Sequence, residues 1–550
     1  GNATVTAAGA NTIVAGSGMK GNLTVNGVTA STVDAGVAKT VTVAGSAATT
    51  DSVTVTAGAE TTTVTVAATV ETANVTAGAK TTAVTTNAVT ATIDATAAAK
   101  DAAITVNGTA GNTDVATVKI GNDAAVTTTL TGAEKLTLDV ADGKVVTVAT
   151  VAATADTVEV QGAGAVTVKG TATNLTLDTI TKSNTGALTV AISDAAATGT
   201  INTAKFGADL ITLTAGAAPV IVAKTGQSFE VAASAGTSKI EVGVATDTAA
   251  DALSVKLTSA AYAEVKNTAA TDAETLTITA AAAQAASPTI TDLTIADLIA
   301  GAGNQVILNG TNDVQLTLVT SAKTIDASAL NGELKVSNTA NTVADLTIAG
   351  ATGKNDVTFD PTALTKGAFI GQSADDKVAF GTILAAATVT AVTGGGKDTV
   401  TVNATNITSA AGGAVSIESG AGDDTVNLTS VVGTTGTIAL QFGDGADTLK
   451  LAANSDVTAA NLTFTGLEKL VVNTDALFTG AQLTGKTLTV EGTTANAVDT
   501  ITVTATTATG ETIDLSGLTG TDSVSTGIKG ALLNGAAGKD VLIGTNRADT

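Results

Sequence analysis

Small apolar residues return along this chain every nine to twelve positions, framed by threonine and separated by short runs of Ala, Gly, Asn and Asp. Over the first 119 residues these apolar centres fall near Val5, Val14, Val25, Val33, Val43, Val53, Val64, Val75, Val84, Ile93, Ile104 and Val115. Alternation of the Thr-Val-Thr-Val kind is the period of a strand with one buried face, and the intervening residues are turn formers. A longer period lies above the short one. The run Thr56–Thr62 returns almost unchanged as Thr76–Thr82, an offset of 20 residues, and Gly16 and Gly36 are spaced the same way. Two short strands per 20-residue unit predict a β-solenoid, in which stacked units bury a continuous core. A pair of β-sandwich modules built from the same strands is the alternative for this region. The β-propensity of repeated Thr-Val argues against disorder, despite the low complexity.

From Gly121 to Thr200 the strands lengthen. The segment Leu130–Leu138, reading L-T-G-A-E-K-L-T-L, is matched far downstream by Phe464–Val472, reading F-T-G-L-E-K-L-V-V. The alternation turns Leu136 and Leu138 inward and leaves the Glu-Lys pair as a solvated edge that discourages pairing with other chains. Residues 201–303 are the least regular, and Ala249–Leu253 and Ala280–Ala286 read as short helices there. Beyond Gly303 the strand-turn rhythm resumes. The expected architecture is all-β: β-solenoid or parallel β-roll-like stacks of short strands, with β-sandwich modules as a possible variation and a few short helices. It divides into a repetitive Ala/Thr/Val region (1–200), an irregular segment or inserted domain (201–303) and a second solenoid region (304–550).

Composition narrows the chemistry. The 550 residues carry 26 Lys+Arg against 49 Asp+Glu, a net charge of −23, which opposes binding to nucleic acid and suits a surface bathed in divalent cations. Aromatic residues make up 2%, with no Trp, so the core must be built of Val, Ile, Leu and Ala. There is no Cys and no His, which removes disulfides, thiol catalysis, the Ser-His-Asp triad and every Cys- or His-ligated metal site. Paired carboxylates could still perform glycosidase chemistry, but no pair stands out, and a non-enzymatic role is expected. No run of about 18 apolar residues is present, so no transmembrane helix is expected. The chain starts at Gly1 and stops inside a repeat, and it reads as a processed or truncated piece of a larger protein. The Asn-x-Thr sequences at Asn2, Asn22, Asn74, Asn107, Asn174, Asn403, Asn406, Asn427 and Asn461 read as strand-and-turn composition.

The most specific pattern lies between Val392 and Leu451. Gly394-Gly395-Gly396-Lys397-Asp398-Thr399-Val400-Thr401-Val402, Gly420-Ala421-Gly422-Asp423-Asp424-Thr425-Val426-Asn427-Leu428 and Gly443-Asp444-Gly445-Ala446-Asp447-Thr448-Leu449-Lys450-Leu451 share the form G-x-G-x-D-T-[VL]-x-[VL]. This is the core of the Ca²⁺-binding nonapeptide of parallel β-rolls. Glycines let the backbone adopt φ > 0 and bring carbonyls toward a hard cation, while aspartates supply charged oxygen. The predicted metal ligands are Gly394, Gly396, Asp398, Gly420, Gly422, Asp423, Asp424, Gly443, Asp444, Gly445 and Asp447. Gly538, Asp540 and Asp549 join them from a terminal copy with a true nine-residue step. Calcium is the cofactor such oxygen-only sets favour; zinc lacks N or S ligands here. The first three aspartates lie 26 and 23 residues apart, so each must sit once per coil, with a further strand such as Val415–Ile417 or Ile438–Leu440 between. Degenerate copies follow the same theme at Gly371–Val378 and Gly520–Val524.

At these residues the chain resembles the RTX family of type I-secreted bacterial proteins. Its Ala/Thr/Val/Gly richness, missing Cys and His, and T-G-x-E-K-L unit are similar to the surface-layer (S-layer) branch found in Caulobacter and Campylobacter. The specific motifs cover residues 390–450 and 535–550 only, and the copies are scattered instead of tandem. The resemblance implies a secreted, calcium-binding, self-assembling structural protein at the cell surface. It also implies Ca²⁺-dependent folding, a homo-oligomeric lattice on lipopolysaccharide at the outer-membrane surface, and an uncleaved secretion signal beyond Thr550. An RTX adhesin or extracellular filament is the alternative, which tandem repeats of about 100 residues would have favoured; none is present.

Overall fold

The computed structural model describes residues 1–46, 51–107, 114–129, 133–150, 157–194, 197–234, 238–267, 272–281, 293–299, 304–320, 322–337, 345–359, 365–383, 385–405, 407, 411–431, 434–492, 500–505, 512–520, 531–534 and 541–543. The chain forms two compact units, Gly1–Thr248 with Leu253–Val255, and Ala249–Ala252 with Lys256–Thr550. Both are parallel β-solenoids, and together they hold about 19 coils.

In the first unit, as far as Lys182, each coil contributes one strand to each of two sheets. Asn22–Val28, Thr40–Gly45, Thr63–Val66 and Ala83–Thr86 stack in parallel on one side. Ala30–Asp34, Ser52–Thr56, Thr72–Thr76 and Thr90–Ala95 stack on the other. Parallel pairing between successive coils decides for a solenoid over a sandwich, whose sheets are antiparallel. Every apolar centre expected from the sequence before residue 119 lies in one of these strands or in Ala3–Gly9, Thr12–Val14, Ala102–Asn107 or Asp114–Ile120, which extend the same two stacks. Val41, Val43, Val53, Val55, Val64, Val66, Val75 and Val84 all point inward, none more than 1% exposed. Outward positions stack like on like: Thr4, Thr24, Thr42, Thr65, Thr85 and Thr105 lie in one register column. Threonine serves there because a β-branched side chain fits the pleated surface while its hydroxyl meets water.

The 20-residue repeat has a physical cause at the corner between the sheets. Thr61 and Thr81 are fully buried. The hydroxyl of Thr61 donates to the Ala38 carbonyl at 2.8 Å, and that of Thr81 to the Thr61 carbonyl at 3.1 Å. Each hydroxyl also accepts the N–H three residues back, from Gly58 or Gly78, at 3.0 Å. Thus one side chain closes its own turn and ties it to the coil before. Buried amides do the same elsewhere. Gln227 donates to the carbonyls of Thr203 and Phe206 and accepts from the Lys224 N–H. Gln482 donates to the carbonyls of Val457 and Ala460 and accepts from the Thr479 N–H.

In the second unit the coils lengthen but keep the plan. Thr399–Asn403, Thr425–Ser430 and Thr448–Asp456 stack in register, and Thr388–Val392, Ala414–Glu418 and Thr437–Gln441 form the facing stack. The intervening strands expected at Val415–Ile417 and Ile438–Leu440 are therefore present. Larger side chains fill this core, including stacked Phe359 and Phe380 with ring centroids 4.8 Å apart.

Two readings of the sequence need correction. Ala249–Leu253 is no helix: Ala249 and Ala250 form a turn and Ala252–Leu257 is a strand. Its alternation buries Leu253, Val255 and Leu257, and that gain outweighs the helix propensity of three alanines. Ala280 ends the strand Thr275–Ala280, and Ala282–Ala286 lie outside the described residues. The Glu-Lys units, read as solvated edges, do keep their lysines solvated but lie inside the stack, where those lysines pair with the next coil: Lys135 with Glu159 at 2.8 Å and Lys469 with Glu491 at 2.7 Å. The short helices that do occur, Ala172–Leu177 and Gly480–Leu483, turn corners between strands. Among the described residues no helix is long and apolar enough to cross a membrane, which leaves strand-spanning barrels unaddressed.

Leu138 is fully buried and stacks on Val118 and Val160 of the adjacent coils. Leu138→Ala is expected to cost about 2–5 kcal/mol through transfer and cavity terms. Thr137→Ser, on the outward face, should change stability by no more than about 0.5 kcal/mol. Denaturant midpoints of the two variants check the contrast.

Candidate functional site: a buried carboxylate column

Each glycine-aspartate turn in the second unit leads from one stack of strands into the other. At such a corner the backbone bends away from the ladder, so the aspartate N–H loses the carbonyl that a straight strand would offer it. The side chain of the next coil supplies the replacement. Asp376 N–H donates to Asp398 Oδ1 at 2.7 Å, Asp398 N–H to Asp424 Oδ1 at 2.9 Å, and Asp424 N–H to Asp447 Oδ1 at 2.8 Å. Their carbonyls accept in the same direction, from the N–H groups of Thr399, Thr425 and Thr448 at 2.8–2.9 Å. The result is a column with one carboxylate per coil, each no more than 2% exposed.

Two residues the motif did not reveal end the column. Asn355 donates its backbone N–H and its Nδ2 to Asp376 Oδ1, at 3.1 and 2.8 Å. At the other end Asp447 N–H donates to Glu468 Oε2 at 2.9 Å. Glu468 belongs to the repeated T-G-x-E-K-L unit, and its longer arm takes the place of an aspartate. A signal for both was present. Asn355, Asp376, Asp398, Asp424, Asp447 and Glu468 all stand two residues before the first of two inward side chains, as in Asn355-x-Val357-x-Phe359 and Glu468-x-Leu470-x-Val472. Spacing to the core, more than the glycines, defines the position.

The glycines answer a different demand. Coils stack so closely at the turn that a Cβ on Gly420 would lie 1.8 Å from the Gly394 carbonyl oxygen, and one on Gly422 1.7 Å from that of Gly396. Gly443 and Gly445 meet Gly420 and Gly422 in the same way. The carbonyls of Gly394 and Gly420 accept N–H groups from Ala421 and Asp444, at 2.9 and 3.0 Å. They extend the coil-to-coil ladder through the turn.

The column is electrostatically costly. Burial pushes the Asp376 carboxyl up to about 6, with Asp398 and Asp375 adding to the rise and Asn355 opposing it. Burial also raises Asp398, Asp424 and Asp447, and neighbouring acids reinforce each shift. Ser419 beside Asp424 pulls the other way, although its hydroxyl makes no hydrogen bond of normal geometry. The second oxygen of Asp376, Asp398, Asp424 and Asp447 is buried with no hydrogen-bond partner.

Of the other predicted ligands, Asp423 is exposed and accepts the Ala446 N–H at 2.9 Å, while Asp444 lies against Ala421 in a neighbouring column. Gly538, Asp540 and Asp549 lie outside the described residues. Among the described residues no three acidic side chains converge on one point. The donor chemistry is nevertheless all oxygen, and orphaned buried carboxylate oxygens recur once per coil, which suits a hard divalent cation. Asp398, Asp424 and Asp447, with exposed Asp423 and Asp444, are the residues that would hold it. Bound there, the ion would supply neutralisation of stacked like charge. Comparison of the chain with protein families, curated proteins and solved structures finds no match, so the reading rests on this geometry.

The raised acidities fix the sign of the pH dependence. A carboxyl lifted in the folded state contributes stability that is full below its unfolded value and lost as pH rises through its folded value. For Asp376 that window runs from 3.8 to about 6. In chelator, the unfolding midpoint of the chain should fall across this interval, and Asp376→Asn, which keeps the Oδ1 acceptor, should flatten the decline. Gly422→Ala, with φ +135° and no room for a Cβ, should lose about 3 kcal/mol at every pH. Thermal unfolding from pH 3.5 to 7.5 checks both.

Proposed function

We propose that this chain is a structural, self-assembling extracellular protein of the S-layer kind, with Ca²⁺ neutralising its carboxylate column and promoting assembly. The observation that carries the reading is the column itself. Its acids join one coil to the next and are committed to the architecture, an arrangement suited to a load-carrying scaffold. The proposal assigns no catalytic role. It follows the RTX resemblance in placing the protein outside the cell by type I secretion, with lipopolysaccharide or the outer-membrane surface as the anchoring partner and further copies of the chain as lattice neighbours.

A cation acts on this scaffold through linkage. Neutralising stacked carboxylates relieves mutual repulsion, so an ion bound only by the folded column stabilises it in proportion to RT ln(1 + [L]/Kd). Calcium suits irregular oxygen sets, whereas Mg²⁺ demands tight octahedral geometry and holds its water. Millimolar Ca²⁺ is therefore expected to raise the unfolding midpoint and to produce ordered assemblies in electron micrographs, with Mg²⁺ a poor substitute. In Asp424→Asn/Asp447→Asn, which keeps the Oδ1 acceptors, the Ca²⁺ stoichiometry by calorimetry should drop and assembly should fail. Undiminished stoichiometry and normal assembly in that variant would remove calcium from the proposal. Absence of any ordered assembly by the native chain under all ionic conditions would remove the scaffold role.

A further inference from the structure

The strands of the second unit carry several register breaks, and three of them cluster on one part of its outward face. Thr401, Asn427, Lys450 and Val471 form one register column across the strands Thr399–Asn403, Thr425–Ser430, Thr448–Asp456 and Lys469–Thr479. The register breaks between Val402 and Asn403, between Lys450 and Ala453, and again between Ala453 and Ser455. Beyond these bulges two non-glycine residues on adjacent coils take left-handed backbone, Asn454 at φ 55° and Thr474 at φ 66°. For β-branched Thr474 this is a strained conformation, and such strain persists where surrounding structure enforces it. The Thr474 hydroxyl accepts the Asn454 N–H at 3.2 Å and lies 3.1 Å from Asn454 Oδ1, locking the two turns together.

The step opens a groove of about 450 Å³, within the range of small-ligand sites. Its polar lining is Thr401, Asn427, Thr429, Lys450 and Asn473, set over the buried Leu428 and Leu451. Several lysines elsewhere on the sheet faces pair with an acid on the adjacent coil, Lys135 with Glu159, Lys377 with Asp356 and Lys469 with Glu491, and Lys119, Lys335 and Lys366 each have an aspartate beside them in register. Lys450 has Asn427 and Val471 beside it in register, and no acidic partner among the described residues. A sheet-face cation with no acid beside it in register, in a chain of net charge −23, is complementary to an anionic group on a ligand.

We infer that this groove binds a uronate-containing saccharide, with Lys450 receiving the carboxylate. Side-chain amides and hydroxyls each both donate and accept, which matches the alternating demands of adjacent sugar hydroxyls. Asn427 already exercises this, donating from Nδ2 to the Thr401 hydroxyl at 3.3 Å. An ammonium supplies the one charged contact that distinguishes a sugar acid from a neutral sugar. The inference is independent of the carboxylate column and of lattice formation.

The test is calorimetric titration of the full chain with digalacturonate, beside a neutral disaccharide and an Asp-Asp dipeptide, in chelator at low salt. Saturable binding of digalacturonate is expected, with the neutral sugar at least about tenfold weaker, the value of one charge-assisted contact. Lys450→Gln should reduce the affinity by about tenfold while Lys450→Arg retains most of it. Lys397→Gln, an exposed lysine outside the groove, should leave binding unchanged. Circular dichroism verifies that each variant is folded. No saturable binding by the native chain, equal binding by Lys450→Gln, or tighter binding of the dipeptide would each overturn the assignment.

Discussion

A solenoid lives or dies at its corners. Along a strand, parallel pairing with the coils above and below satisfies every backbone N–H and carbonyl, but at each bend the ladder is interrupted and those groups face burial without partners. An unmet buried N–H costs roughly 1–3 kcal/mol, and a chain that bends twice per coil meets the problem dozens of times. The solutions are all short polar side chains reaching across one coil spacing: the hydroxyls of Thr61 and Thr81, the amides of Gln227 and Gln482, and the carboxylates of Asp376, Asp398, Asp424 and Asp447. Each accepts or donates where the backbone of the neighbouring coil has turned away.

From this constraint the composition follows. Corner residues must be small and polar, and stacked at the spacing of parallel strands, about 4.8 Å. Glycine is needed where two turns touch, as between Gly394 and Gly420 or Gly396 and Gly422. The interior between the two stacks is narrow, so valine, isoleucine, leucine and alanine fill most of it in the first unit, where Phe206 and Phe229 enter only towards its end, and phenylalanine is more frequent in the second. The carboxylate column is the costly version of the corner. It provides the same hydrogen bond as a threonine or glutamine but gathers like charge, and protons or a divalent cation are the two agents able to relieve it.

Much of this was legible in the sequence because a solenoid writes its structure locally. The 20-residue return of Thr56–Thr62 is one stacked corner repeated, and the Val-x-Val centres are one buried face repeated. The once-per-coil placement of Asp398, Asp424 and Asp447 followed from their spacing alone. What escaped depended on the neighbouring coil. Ala249–Leu253 looked helical because alanine favours helix when nothing else decides, whereas burial of Leu253, Val255 and Leu257 decided. Glu468 is exposed, as its charge suggested, but its place at the end of the column was hidden because its partner, the Asp447 N–H, lies 21 residues earlier. Asn355 carries no charge and no flanking glycine pair, so only its position before Val357 and Phe359 linked it to the column. The groove at Lys450 had no sequence signature, since bulges and left-handed Thr474 arise from how three coils of unequal length fit together.

The central claim is that aspartate side chains continue the backbone ladder around the corner. Residue-resolved amide hydrogen exchange of the full chain tests it most directly. The N–H groups of Asp376, Asp398 and Asp424 should exchange as slowly as those of Thr399 and Thr425, which donate to backbone carbonyls within the same column. Exchange of the aspartate amides at the rate of open turns, while Thr399 and Thr425 stay protected, would contradict the account.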